Sequence, residues 1–251
     1  MRLLASVLLF GFLEMALIAA IILVGRRTEK ITRAPALDVA VSALTWIPWA
    51  FSFWLAGWVG LLGCVLAQIG AMQLFCVWHA KVTGRSGQRI ARTLNRLTSP
   101  FANHFALFAT LPALPAFLLI RFSQLTTYPI LVRTVRLPPY DHAGWVNVSR
   151  QKFHGLVGHD LVWCLYCDWM TGIYSLGGEM LRNLESFWCP IRFYPGKKCE
   201  NCKLDFPDIP EWVPADGSVE DVERKLIEKY DGRRWNSWWS HPDRRNENPP
   251  S

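Results

Sequence analysis

Between Val39 and Trp78 the chain runs for 40 residues without one Asp, Glu, Lys or Arg. That is twice the roughly 20 apolar residues a helix needs to cross a hydrocarbon core about 30 Å thick, so the run fixes the class before any motif does. It suits two helices in a hairpin, about 39–56 and 59–78. The expected turn is Ala56-Gly57-Trp58-Val59-Gly60, where two glycines break the pattern and Trp54 and Trp58 suit a membrane interface. Pro48 is expected to kink the second helix, a defect tolerated between membrane neighbours. Ahead of this run, Leu3 to Val24 is apolar except for Glu14. It reads as a first span, about 3–24, because it outlasts the roughly 7–15 apolar residues of a signal peptide. A carboxylate at that depth is costly, so Glu14 is expected to face another helix or to be protonated.

Charge divides the chain into two parts. Residues 1–136 hold 13 of the 27 Lys and Arg against three acids, whereas 137–251 hold 14 basic and 17 acidic residues. This distribution argues against a uniform nucleic-acid binder, and the expected partner of the first part is the lipid bilayer. Thirteen Trp and 14 Phe argue equally against disorder. The loop with Arg26, Arg27, Lys30 and Arg33 and the loop with Lys81, Arg85, Arg89, Arg92 and Arg96 are basic, and the hairpin turn between them is uncharged. By the positive-inside rule both loops face the cytoplasm and the N-terminus faces out. Ser86 to Leu97 sets Ile90, Leu94 and Leu97 opposite Arg89, Arg92 and Arg96 on a helical wheel, which fits either a helix on anionic lipid or a solvated basic loop. Residues 103–133, interrupted by Pro112 and Pro115 and flanked by basic residues, read as re-entrant or interfacial helices.

Leu137-Pro138-Pro139-Tyr140 marks a boundary where helix is disfavoured and the composition turns polar. Residues 137–251 read as a small α+β domain, rich in Cys and Trp and ending in a polar tail. Leu156 to Leu184 has helical spacing, with Gly172 and Gly177-Gly178 as points of division. Phe187 to Phe193 reads as a strand or extended piece. Ser218-Val219-Glu220-Asp221 is a capping sequence that opens a helix over 219–230.

Five of the seven cysteines fall in this domain. Cys164-Leu165-Tyr166-Cys167 and Cys199-Glu200-Asn201-Cys202 are Cys-x-x-Cys pairs, a spacing that lets two thiolates share an ion. Lys197, Lys198 and Lys203 would lower the thiol pKa values and offset the charge of a four-thiolate centre. The expected metal ligands are therefore Cys164, Cys167, Cys199 and Cys202, with Cys189 and His159 as alternates. The expected cofactor is zinc, or an iron–sulfur cluster for which Trp163, Tyr166, Trp169 and Trp188 would provide an apolar shell. His159-Asp160 reads either as a ligand with its orienting acid or as a polar pair opening a helix.

No Gly-x-Gly-x-x-Gly, Walker A, His-Glu-x-x-His or Gly-x-Ser-x-Gly pattern occurs, so no common nucleotide, zinc-protease or hydrolase chemistry is indicated. The expectation is a multi-pass protein of a bacterial inner membrane or organellar equivalent, with its C-terminal domain in the cytoplasm. Its expected role is that of an accessory, scaffold or assembly subunit of a membrane protein complex. The alternative is a membrane oxidoreductase or electron carrier using an iron–sulfur centre or reactive thiols. A third reading is a lipid-modifying enzyme using His154, His159 and Asp160.

Overall fold

The structure, a computed structural model, describes residues 2–83, 90–153, 155–191 and 213–230. It is mainly helical (82%), and no strand occurs among the described residues. Nine helices follow in chain order within those residues. They are α1 (Arg2–Arg27), α2 (Ala36–Leu44), α3 (Trp46–Val82), α4 (Ile90–Leu97), α5 (Pro100–Ala109), α6 (Leu114–Thr134), α7 (His142–Trp145), α8 (His159–Trp188) and α9 (Val219–Tyr230). Among the described residues, three stretches are long and apolar enough to cross a membrane: Leu3–Ile22, Ala36–Val82 and Pro100–Thr134.

The chain forms two units, Met1–Leu114 with His142–Gly172, and Pro115–Asp141 with Ile173–Ser251. Leu137-Pro138-Pro139-Tyr140 lies inside the second.

In the first unit α3 is a hairpin. Trp49 Nε1 donates to Gln68 Oε1 at 2.5 Å, although a straight helix would set residues that far apart in sequence about 28 Å from each other. Reversal occurs at Ala56 and Gly57, whose backbones leave the helical region. Gly57 has φ +57°, a conformation that glycine adopts without the steric cost a Cβ would impose. α1 packs along the hairpin through Phe10, Cys64 and Ala67, with Val7 and Trp49 against them. Gly63 permits this approach, because a Cβ there would lie 2.7 Å from the Ser6 Cβ. Small residues let membrane helices pack closely in this way.

The interruption expected from Pro48 falls at Thr45, three residues before it and between α2 and α3, and Pro48 itself occupies the first turn of α3, where a helix has no intrahelical use for the N–H that proline lacks.

The loop after α1 is anchored by backbone pairing, Ala34 N–H to Val146 O at 2.9 Å and Val148 N–H to Thr32 O at 2.8 Å.

In the second unit α6 lies with the later part of α8 and with α9. Of the strand or extended piece expected over 187–193, Phe187 and Trp188 instead belong to α8, which stays helical through Trp188, whereas Ile191 is in an extended bridge. The buried positions of α8 keep a helical period, with Ile173, Leu176, Glu179, Met180, Asn183 and Ser186 all buried. Among the described residues, the extended pairing in this unit is an isolated bridge between Ile191 and Val213. Residues 192–212 lie outside the described residues.

α9 opens with a reciprocal cap. Ser218 Oγ accepts from the Asp221 N–H at 3.3 Å, and Asp221 Oδ2 accepts from the Ser218 N–H at 2.8 Å. Two donors at the start of the helix are thereby satisfied.

Candidate functional site

The start of α8 gathers the residues of chemical interest in the first unit. Cys164 and Cys167, one turn apart, share a face of the helix. Cys164 is half-buried, Cys167 is exposed, and neither is in a disulfide. Aromatic rings flank them: Trp163 meets Phe108 edge-on at 6.2 Å and Tyr166 edge-on at 6.0 Å, and Tyr166 stacks on Trp169 at 6.4 Å. Tyr166 Oη is buried with no hydrogen-bond partner among the described residues, and this burial pushes its phenol above the ordinary value.

Arg150 stands beside Cys167. Its guanidinium hydrogen-bonds the sulfur, and this contact, ahead of the charge of Asp168, raises the arginine further above its already high ordinary pKa. Arg150 is also 3.8 Å from Asp168 Oδ1. Asp168 Oδ2 accepts the backbone N–H groups of Ser149 (2.7 Å) and Arg150 (3.1 Å), which fixes the loop bearing the arginine.

The other sequence-designated residues are arranged differently. Asp160 caps a distant helix, accepting the N–H of Ile90 at Oδ2 and of Ala91 at Oδ1, both at 3.0 Å. His159 Nε2 donates to Gln73 Oε1 at 2.7 Å, which ties the ring to the hairpin. Preceding it, the Gly158 N–H donates to His79 Nδ1 at 3.2 Å. The structure thus ties His159 and Asp160 into helix-to-helix contacts.

Cys189 is exposed and lies just past the C-terminus of α8, in the second unit, its N–H donating to Glu185 O at 2.7 Å. Trp188 belongs to that unit too and is exposed. His154, Cys199 and Cys202 lie outside the described residues, and among the described ones no three His, Cys, Asp or Glu side chains converge to hold an ion.

Two further polar clusters are built into the fold. In the first unit Gln68 joins the hairpin arms to α1. Its Oε1 accepts from Trp49, its Nε2 donates to the carbonyls of Leu44 (3.1 Å) and Thr45 (3.3 Å), and its side chain hydrogen-bonds Glu14. The Leu44 carbonyl would meet the N–H of residue 48 in a continuous helix. Pro48 has none, and Gln68 supplies the donor. Glu14, 6% exposed, therefore does face another helix.

In the second unit Tyr140 Oη donates to Glu179 Oε1 at 3.3 Å, and Arg182 pairs with Glu179 Oε2 at 3.1 Å. Asn183 Nδ2 donates to Tyr140 Oη and to Glu179 O. A groove of about 390 Å³ is lined by Gln124, Tyr128, Tyr174, Gly177 and Leu181 among others. Its buried polar groups are engaged in the fold, with Gln124 Nε2 donating to Ile173 O at 2.8 Å and Tyr128 Oη to Pro138 O at 3.1 Å. A glutamine or asparagine inside an apolar stretch is the signal that marks such clusters, and Gln68 and Gln73 stood in plain view within the charge-free run.

No protein family, curated protein or solved structure matches the chain.

Proposed function

We propose that the protein is a membrane-anchored accessory, scaffold or assembly subunit. It sits in a bacterial inner membrane or organellar equivalent with its N-terminus outside. On the cytoplasmic side it carries a cysteine-rich α+β domain stapled by zinc at Cys164, Cys167, Cys199 and Cys202. The observation that carries this reading is the use made of the carboxylates. Asp160 caps α4, Asp168 holds the Arg150 loop, and Glu179 bridges Tyr140 and Arg182. Each acid has a structural task, while the Cys167 face stays accessible beside a cation. This pattern suits a rigid docking module better than an acid/base catalyst.

A closed four-sulfur shell would contribute directly to folding.

The contact between Arg150 and Cys167 also favours the second reading, an electron carrier working through an iron–sulfur centre or a reactive thiolate. Anaerobic purification in detergent, with assay of zinc, iron and acid-labile sulfide beside the optical spectrum, separates the two. A colourless protein with one zinc per chain is the expected result. Iron with sulfide and a visible band bleached by dithionite selects the electron carrier. Metal-free protein overturns the metal staple.

A further inference from the structure

We infer that α4, with the start of α5, is a foot that rests on an anionic membrane surface, and that Asp160 sets its attitude. Ile90, Leu94 and Leu97 fall within about 60° of one another on the helix, and Arg92 and Arg96 lie on the opposite side. If α4 were an ordinary solvated helix of a folded domain, its apolar face would be covered by protein. Instead Ile90 is 51%, Leu94 39% and Leu97 76% exposed. α5 extends the same surface with Phe101 and Phe105, both exposed and stacked at 5.9 Å. The two helices are joined by Asn103 Nδ2 donating to Asn95 Oδ1 at 2.7 Å.

Charge identifies the occupant. From Asp38 to Asp141 the chain contains no acid between those two residues, yet it holds Lys81, Arg85, Arg89, Arg92 and Arg96. Arg92 and Arg96 are exposed and have no ion pair among the described residues. Asp160 has both oxygens on the amides of Ile90 and Ala91. This clamp fixes the start of α4 and leaves the arginines to an outside anion. An exposed apolar face backed by arginines that have no ion pair among the described residues fits a bilayer rich in anionic phospholipid.

This inference rests on the membrane placement proposed above, and the test separates the two. A fluorescent amino acid is incorporated at Leu97, or at Phe12 on the exposed side of α1, in the full chain reconstituted into mixed phosphatidylcholine and phosphatidylglycerol vesicles. Quenching is read with one or the other lipid brominated. At Leu97, brominated phosphatidylglycerol is expected to quench with about a five-fold preference. The preference should vanish in R92Q/R96Q and shrink as salt rises. Equal quenching by both lipids, or a preference unchanged by salt and by R92Q/R96Q, overturns the anionic foot. If the Phe12 probe is quenched and the Leu97 probe is not, the foot fails alone. If neither is quenched, the membrane placement fails and the foot with it.

Discussion

Substitution of Gln68 by Leu tests how the hairpin is held. The side chain makes three hydrogen bonds within the hairpin, one from Trp49 and two to the carbonyls of Leu44 and Thr45. Leucine fills similar space and makes none of them. Hydrogen bonds between membrane helices average about 0.6 kcal/mol and reach about 1.7. Gln68→Leu should therefore cost about 2 kcal/mol, and up to about 5 if all three bonds lie at the strong end. Pro48→Ala supplies the N–H missing opposite Leu44 O, so in that background the cost should shrink by one bond, about 0.6–1.7 kcal/mol. Unfolding in mixed micelles titrated with dodecyl sulfate, followed by near-ultraviolet circular dichroism, gives all four corners of the cycle. Additive single substitutions would refute the idea that Pro48 creates the vacancy Gln68 fills. A Gln68→Leu protein as stable as the parent would refute the clasp altogether.

Other consequences are equally direct. Asp160→Ala should loosen the start of α4 by about 1 kcal/mol, the usual worth of a helix cap, seen as faster amide exchange at Ile90 and Ala91. Glu179→Ala removes the buried partner of Tyr140 and Arg182 and should destabilise the second unit by about 3 kcal/mol, read as lost exchange protection in the later part of α8. The cap of α9 predicts a pH effect. The Ser218 N–H holds the Asp221 carboxyl below its ordinary pKa, and backbone hydrogen bonding does the same for Glu220. Their stabilisation is present at neutral pH and is lost as pH falls through the depressed folded-state values. The α9 amide shifts should therefore move toward coil in acid, and Ser218→Ala should move that transition upward.

Legibility in the sequence followed the kind of force at work. The charge-free run Val39–Trp78 and the glycines at its centre report a local physical demand, and α3 reverses at Ala56 and Gly57. The capping sequence at Ser218 is local too, and α9 begins at Val219. The later part of α8 was misread because hydropathy and burial part company there. Glu179, Asn183 and Ser186 occupy buried positions, so the apolar period fades while the burial period continues to Ser186 in the last turn of α8. Phe187 and Trp188 then look like the start of a strand. Pro48 announces the break in the second span, and because the N–H it lacks would have met Leu44 O, the break falls at Thr45 and not at the proline itself. Contacts across long separations, such as Asp160 with Ile90 or Gln68 with Leu44, depend on packing that no local pattern encodes. Around the cysteines, the spacing nominated the ligand types. The arginine that supports Cys167 lies 17 residues away in sequence and needed the fold to bring it there.

X-ray absorption at the zinc edge of the full chain in detergent tests the central proposal most directly. Four sulfur neighbours at about 2.3 Å, with one sulfur lost in Cys164→Ser and one in Cys199→Ser, is the predicted result. A shell of nitrogen and oxygen alone, or a sulfur shell unchanged in either variant, would contradict it.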